Sequence, residues 1–128
     1  MRLLLLSIDG FQPSHYLEPG TPFAPLLGRG AHVVGLEPVY PTVTSTNHVS
    51  LATGVTSDQH GVATNTRFDP AAVTSWEGGE SRDWIFDEAE IRAPTLWQRA
   101  VLEYRRVALL RWPVTRGARV DWLVPDVF

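Results

Sequence analysis

Cysteine is absent from this 128-residue chain, which excludes a disulfide framework, a thiol nucleophile and the cysteine-rich zinc ribbons. An excess of one charge is missing too. Eleven Lys and Arg stand against fourteen Asp and Glu, a net charge of −3 with no basic block, so neither a nucleic-acid surface nor an anionic membrane is expected as the main partner. Long apolar runs are also lacking. Met1-Arg2 followed by Leu3 to Leu6 imitates the start of a signal peptide, but Ser7 and Asp9 break the run short of the roughly 7–15 residues of a signal core. Nothing later approaches the roughly 18 apolar residues that span a bilayer, so a cytoplasmic protein is expected. There is no internal repeat and no low-complexity tract. The remaining composition, 44% hydrophobic and 20% charged, suffices for one modest core and no more than one ordinary domain.

The pattern along the chain predicts an α/β fold with a mainly parallel sheet flanked by helices. Residues 2–8 (RLLLLSI) form a continuous apolar run ending at Asp9-Gly10, as expected of a strand buried on both faces and followed by a turn. Asp9 then stands at the carboxyl end of a strand, the edge at which open α/β sheets bind ligands, where it serves either a turn or a ligand. Thr21-Pro22, closed by Gly28 and Gly30, predicts a short helix, and residues 31–39 predict a second strand. A helix is expected over about 44–53, stopped by Gly54. Residues 66–92 show no sustained period and carry Pro70, Gly78, Gly79, Trp76, Trp84 and Phe86, which reads as an irregular excursion able to act as a lid or substrate wall. Ala93-Pro94-Thr95 opens a helix reaching about Tyr104, and residues 106–110 read as a further buried strand. The last residues, Val124-Pro125-Asp126-Val127-Phe128, are apolar, so the chain is expected to be the front portion of a longer protein.

The chemistry concentrates in Pro41-Thr42-Val43-Thr44-Ser45-Thr46-Asn47-His48, then Thr53-Gly54, His60-Gly61 and Asn65. A hydroxyl at a helix start lies beside unpaired backbone N–H groups and the positive end of the helix dipole, the outline of a phosphate site. Read alone, a cluster such as Thr44, Ser45 and Thr46 is more often only an ordinary N-cap.

Taken together these residues resemble the nucleotide pyrophosphatase/phosphodiesterase family of the alkaline phosphatase superfamily. Ser7-Ile8-Asp9-Gly10-Phe11 looks like its first strand and metal-binding aspartate, and residues 41–48 like its nucleophile motif. Residues 50–54 with His60, Gly61 and Asn65 look like the segment after it, and Trp112-Pro113-Val114-Thr115 with Asp121-Trp122 looks like a later one. The resemblance implies the N-terminal portion of a single alkaline phosphatase-like catalytic domain, spanning 1–128. It implies Thr44 as nucleophile and metal-bound oxygen, Asp9 as a zinc ligand, and Asn65 as the amide that binds a phosphoryl oxygen. It also implies two Zn²⁺ ions and a small-molecule phosphodiester or nucleotide substrate hydrolysed through a phosphothreonine. Zinc would lower the pKa of an otherwise poor threonine nucleophile. An uncharged amide at position 65 suits a diester better than a dianionic monoester.

The sequence departs from the family in its ligands and its stacking residue. Two protein-bound zincs need around six ligands, whereas the histidines here are His15, His32, His48 and His60 with no metal-pair spacing, and all four read as structural. Asp121 and Asp126 fall in a loop and do not replace the missing ligands, so the chain alone is expected to be inactive. Ser45 stands where the family often has an aromatic residue; Trp76, Trp84 and Phe86 are possible substitutes, more often core than platform. The alternatives are a phosphomonoesterase or phosphonate hydrolase of the same superfamily, or a non-catalytic anion-binding α/β module.

Overall fold

Apolar residues at positions 49 and 52, with Ser45, Thr46 and His48 beside them, recur at the three-and-four spacing that puts one helix face inward. They organise the larger part of the molecule. The computed structural model describes residues 2–12, 14–15, 18, 20–23, 25, 29–31, 33, 35–67 and 84–126. The chain divides into two compact units, Met1–Glu37 and Pro38–Phe128.

In the second unit, helix α1 (Thr44–Thr53) ends at Gly54, whose φ of 74° is the left-handed conformation that closes a helix cheaply only with glycine. Helix α2 (Ser57–His60) follows, and a 3-10 turn (Glu88–Glu90) precedes helix α3 (Leu96–Leu102). Two three-residue strands, β1 (Ala108–Leu110) and β2 (Trp122–Val124), pair in parallel with Leu109 opposite Leu123. Among the described residues the architecture is therefore α/β with a small parallel sheet.

One face of α1 joins two apolar clusters. Ala52 packs with Trp97, Leu109 and Ala118, while Val49 packs with Val62 and Val114, and Ile91 lies against both. Polar side chains then tie down the connections. Thr95 and Gln98 form a reciprocal capping box at the start of α3, and Glu88 accepts from Trp97 Nε1 at 2.5 Å and from Gln98 Nε2 at 3.2 Å.

Several elements differ from the sequence expectation. Residues 2–8 join no ladder, and Leu3, Leu4 and Leu6 are 79%, 86% and 72% exposed. An apolar run becomes a strand only when its backbone N–H and C=O groups find a neighbour; none of the described strands pairs with it. The described residues of 31–39 likewise join no ladder. The helix expected from Thr21 falls largely outside the described residues, as do Trp76 and His32. The excursion over 66–92 is tied at its ends: Thr66 bridges Trp84 antiparallel, and Asp87 bridges Arg116. Strand β2 was not expected, because three residues carry no readable period and become a strand only through pairing with β1. In the first unit, Phe11 stacks on His15 at 5.3 Å between ring centroids and meets Phe23 edge-on at 5.0 Å.

Candidate active site

The backbone entering α1 settles whether Thr44, Ser45 or Thr46 is only a cap. Val43 is the N-cap residue, extended at φ −109° and ψ 157°, and its side chain makes no cap bond. Thr44 is the first helical residue, so all three hydroxyl residues lie within the first turn. The helix lacks a local cap, and its early N–H groups need partners from elsewhere.

Asn65 supplies one of them from twenty residues away: Ser45 N–H donates to Asn65 Oδ1 at 2.8 Å. Because a backbone N–H can only donate, this bond fixes the orientation of the carboxamide and leaves Nδ2 as its donor end. The Asn65 backbone is held in turn, since Ile85 N–H donates to its carbonyl at 2.8 Å beside the Thr66–Trp84 bridge. Two sequence-predicted residues, Thr44 and Asn65, are thus brought to the same helix end. Asp9 belongs to the first unit.

Asn47 holds the chain on the approach side. Its Oδ1 accepts from Val39 N–H at 2.9 Å, and its Nδ2 faces the carbonyls of Val43, Pro41 and Val39 at 3.0, 3.3 and 3.4 Å. One turn above Thr44, buried His48 donates from Nδ1 to the Thr44 carbonyl at 2.9 Å, and its ring meets Trp112 edge-on at 5.2 Å.

The far end of α1 is latched by His60, which is fully buried. Val62 N–H donates to His60 Nδ1 at 3.1 Å, so the proton resides on Nε2, which donates to Ser50 Oγ at 2.9 Å. Burial holds the imidazole pKa below the ordinary histidine value of 6.5, with Asp58 opposing the shift. His60, read from the sequence as a structural histidine, closes α2 and points inward. A histidine before a helix-stopping glycine is a weak signal, and nothing in the sequence showed its partner to be Ser50. Gly61, at φ 84°, lies against Arg92, whose side chain would stand 3.0 Å from any added Cβ.

Other residues singled out from the sequence take structural places. Asp121 accepts from Val107 N–H at 2.7 Å, and Asp126 lies 3.5 Å from Arg111. Antiparallel pairing of Thr66 with Trp84 sets Asn65 opposite Ile85, which packs into the Val49 cluster. Trp84 and Phe86 stack on each other at 6.5 Å between ring centroids, with the Arg116 guanidinium over Phe86. Among the described residues no three His, Cys, Asp or Glu side chains gather into a group able to hold a metal ion. The donors present do not by themselves fit a zinc centre. No described helix is long and apolar enough to cross a membrane.

A sequence profile for type I phosphodiesterase / nucleotide pyrophosphatase matches residues 3–126. Rat ectonucleotide pyrophosphatase/phosphodiesterase family member 1 is 28% identical over 129 residues, covering 98% of this chain and 14% of the relative. Human family member 5 is 30% identical over 100 residues, covering 77% of this chain and 19% of the relative. Venom phosphodiesterase 2 of the rattlesnake Crotalus adamanteus is 26% identical over 142 residues, covering 98% of this chain and 16% of the relative. The chain thus spans between a seventh and a fifth of these relatives. Because that profile matches nearly the whole chain, the chain belongs to the type I phosphodiesterase / nucleotide pyrophosphatase family.

Proposed function

We propose that this chain is the N-terminal portion of an alkaline phosphatase-like catalytic domain hydrolysing phosphodiester or pyrophosphate bonds of a small-molecule or nucleotide substrate. The observation that carries the reading is the bond from Ser45 N–H to Asn65 Oδ1. It sets an amide donor beside the residue that follows Thr44, at the positive end of a ten-residue helix.

In this reading Thr44 Oγ attacks phosphorus in line, the phosphorus–oxygen bond to the leaving group breaks, and a phosphothreonine forms. Water then attacks phosphorus and releases Thr44, so two displacements give net retention. Asn65 Nδ2 donates to a non-bridging oxygen as negative charge develops, without adding a positive charge that would favour a dianionic monoester. Metal dependence, with two Zn²⁺, belongs to the proposal. In the proposal Asp9 and Thr44 would each offer an oxygen donor to such an ion.

The test uses the protein that carries this chain, assayed on bis(p-nitrophenyl) phosphate. Thr44→Ala is expected to remove acid-stable phosphorylation of the protein and nearly all turnover. Asn65→Ala is expected to cost on the order of 2.7–4 kcal/mol in the transition state, as for loss of one oxyanion donor. Wild-type turnover in Thr44→Ala would remove the nucleophile assignment.

A further inference from the structure

The approach to Thr44 is a stretch of backbone without regular structure. Residues 39–43 belong to no helix or ladder, Tyr40 is 89% exposed, and the N-cap residue Val43 has no capping side chain. Such a segment leaves the first residue of the following helix free to fray unless something outside the backbone pattern fixes it. Within the segment, Val43 N–H donates to the Pro41 carbonyl at 2.9 Å.

Asn47 provides the rest from one side chain. It stands three residues after Thr44, on the first turn of α1, and faces one N–H and three carbonyls of the approach. Its two ends are used in the only orientation the chemistry permits, because Val39 N–H requires an acceptor and the carbonyls of Val39, Pro41 and Val43 require donors. Serine and threonine could not offer both ends at this reach, and aspartate would satisfy Val39 N–H while turning a carboxylate oxygen toward the carbonyls. The Val43 carbonyl also accepts from Asn47 backbone N–H at 3.1 Å, so one residue anchors both the helix and its approach.

We infer that Asn47 is a positioning residue for Thr44: its carboxamide clamps the 39–43 backbone to the first turn of α1 and thereby sets where the Thr44 hydroxyl stands relative to the Asn65 amide. The inference rests on the nucleophile reading above and adds to it a residue that touches no substrate. A misplacement of about 1 Å at a reacting group costs on the order of 10²-fold in rate. Loosening the clamp therefore lowers kcat while substrate binding, made by other groups, persists.

The experiment compares Asn47→Ala and Asn47→Asp with Thr44→Ala in the protein that carries this chain, with bis(p-nitrophenyl) phosphate as substrate. Far-UV circular dichroism and amide hydrogen exchange at Val39 are followed alongside. Both Asn47 variants are expected to lose roughly 10- to 100-fold in kcat with KM within about twofold. Exchange at Val39 is expected to accelerate in Asn47→Ala, which has lost the acceptor, and to stay slow in Asn47→Asp, which keeps it. Unchanged kcat in either folded variant, with Thr44→Ala inactive, overturns the positioning role and leaves the nucleophile standing. Full activity in Thr44→Ala overturns the nucleophile reading and the inference with it. Loss of fold in both Asn47 variants shows a purely structural residue and also overturns it.

Discussion

His60 shows how one side chain can couple stability to pH in this protein. The imidazole is fully buried and neutral, accepting from Val62 N–H at Nδ1 and donating to Ser50 Oγ from Nε2. A second ring proton would face the Val62 N–H, donor against donor. The folded pKa lies below the ordinary value of 6.5, chiefly through burial and against the pull of Asp58. Asp58 is itself held below the ordinary carboxylate value by the Thr56 hydroxyl. Between the folded and unfolded values the unfolded chain binds more protons, so stability rises with pH through that window. It is complete above 6.5 and is lost as pH falls from there through the folded value. Urea midpoints of the wild type are expected to drop between pH 8 and pH 5, whereas His60→Gln should start lower and show a flatter profile. An equally steep profile in His60→Gln would assign the pH dependence to another group.

At the scale of elements, α1 depends on residues outside itself. Its amino end is capped by Asn65 and its approach is held by Asn47. His60 latches its carboxyl half, and Val49 packs under Val114. Val114 is 1% exposed and held at φ 57°, a conformation unfavourable for a β-branched residue, so burial against α1 outweighs local strain there. Helix α3 is the contrasting case, since its capping box lies within four consecutive residues, Thr95 to Gln98. Thr95→Ala removes the acceptor for Gln98 N–H and is expected to cost roughly 1–2 kcal/mol by urea denaturation, with Thr95→Ser largely restoring it. A cost within error of zero would show that Glu88, through Trp97 and Gln98, holds that end without the cap.

For the whole molecule, the two-stranded sheet is the least self-sufficient part. Leu109 is buried, but Leu110, Trp122 and Val124 are 67%, 54% and 48% exposed, and two strands alone are marginal. Bidentate pairing of Arg116 with Asp87, at 2.6 and 2.7 Å, ties the segment before β2 to the 3-10 turn and holds the Asp87 carboxyl below the usual carboxylate range. Catalysis, in the proposed function, belongs to the complete domain. The protein that carries this chain is expected to prefer bis(p-nitrophenyl) phosphate over p-nitrophenyl phosphate, to lose turnover on chelation and to regain it with added zinc. Clear preference for the monoester would favour a phosphomonoesterase of the same superfamily, and full activity after exhaustive chelation would remove the metal from the proposal.

Local chemistry made part of this protein readable from its sequence. Glycine stops, a threonine cap and apolar spacing marked α1 and α3 nearly to their ends, and the joint pattern around Thr44, His60 and Asn65 carried the family. Other features arose only on folding. Whether residues 2–8 pair, and whether three residues at 122–124 become a strand, depends on a neighbouring backbone that no local period reveals. The Asn65 cap on Ser45, the Asn47 clamp and the His60–Ser50 latch are decided the same way. In each, an obligate donor or acceptor removed from water must find its partner across the tertiary structure, and only the packed chain determines which one it finds.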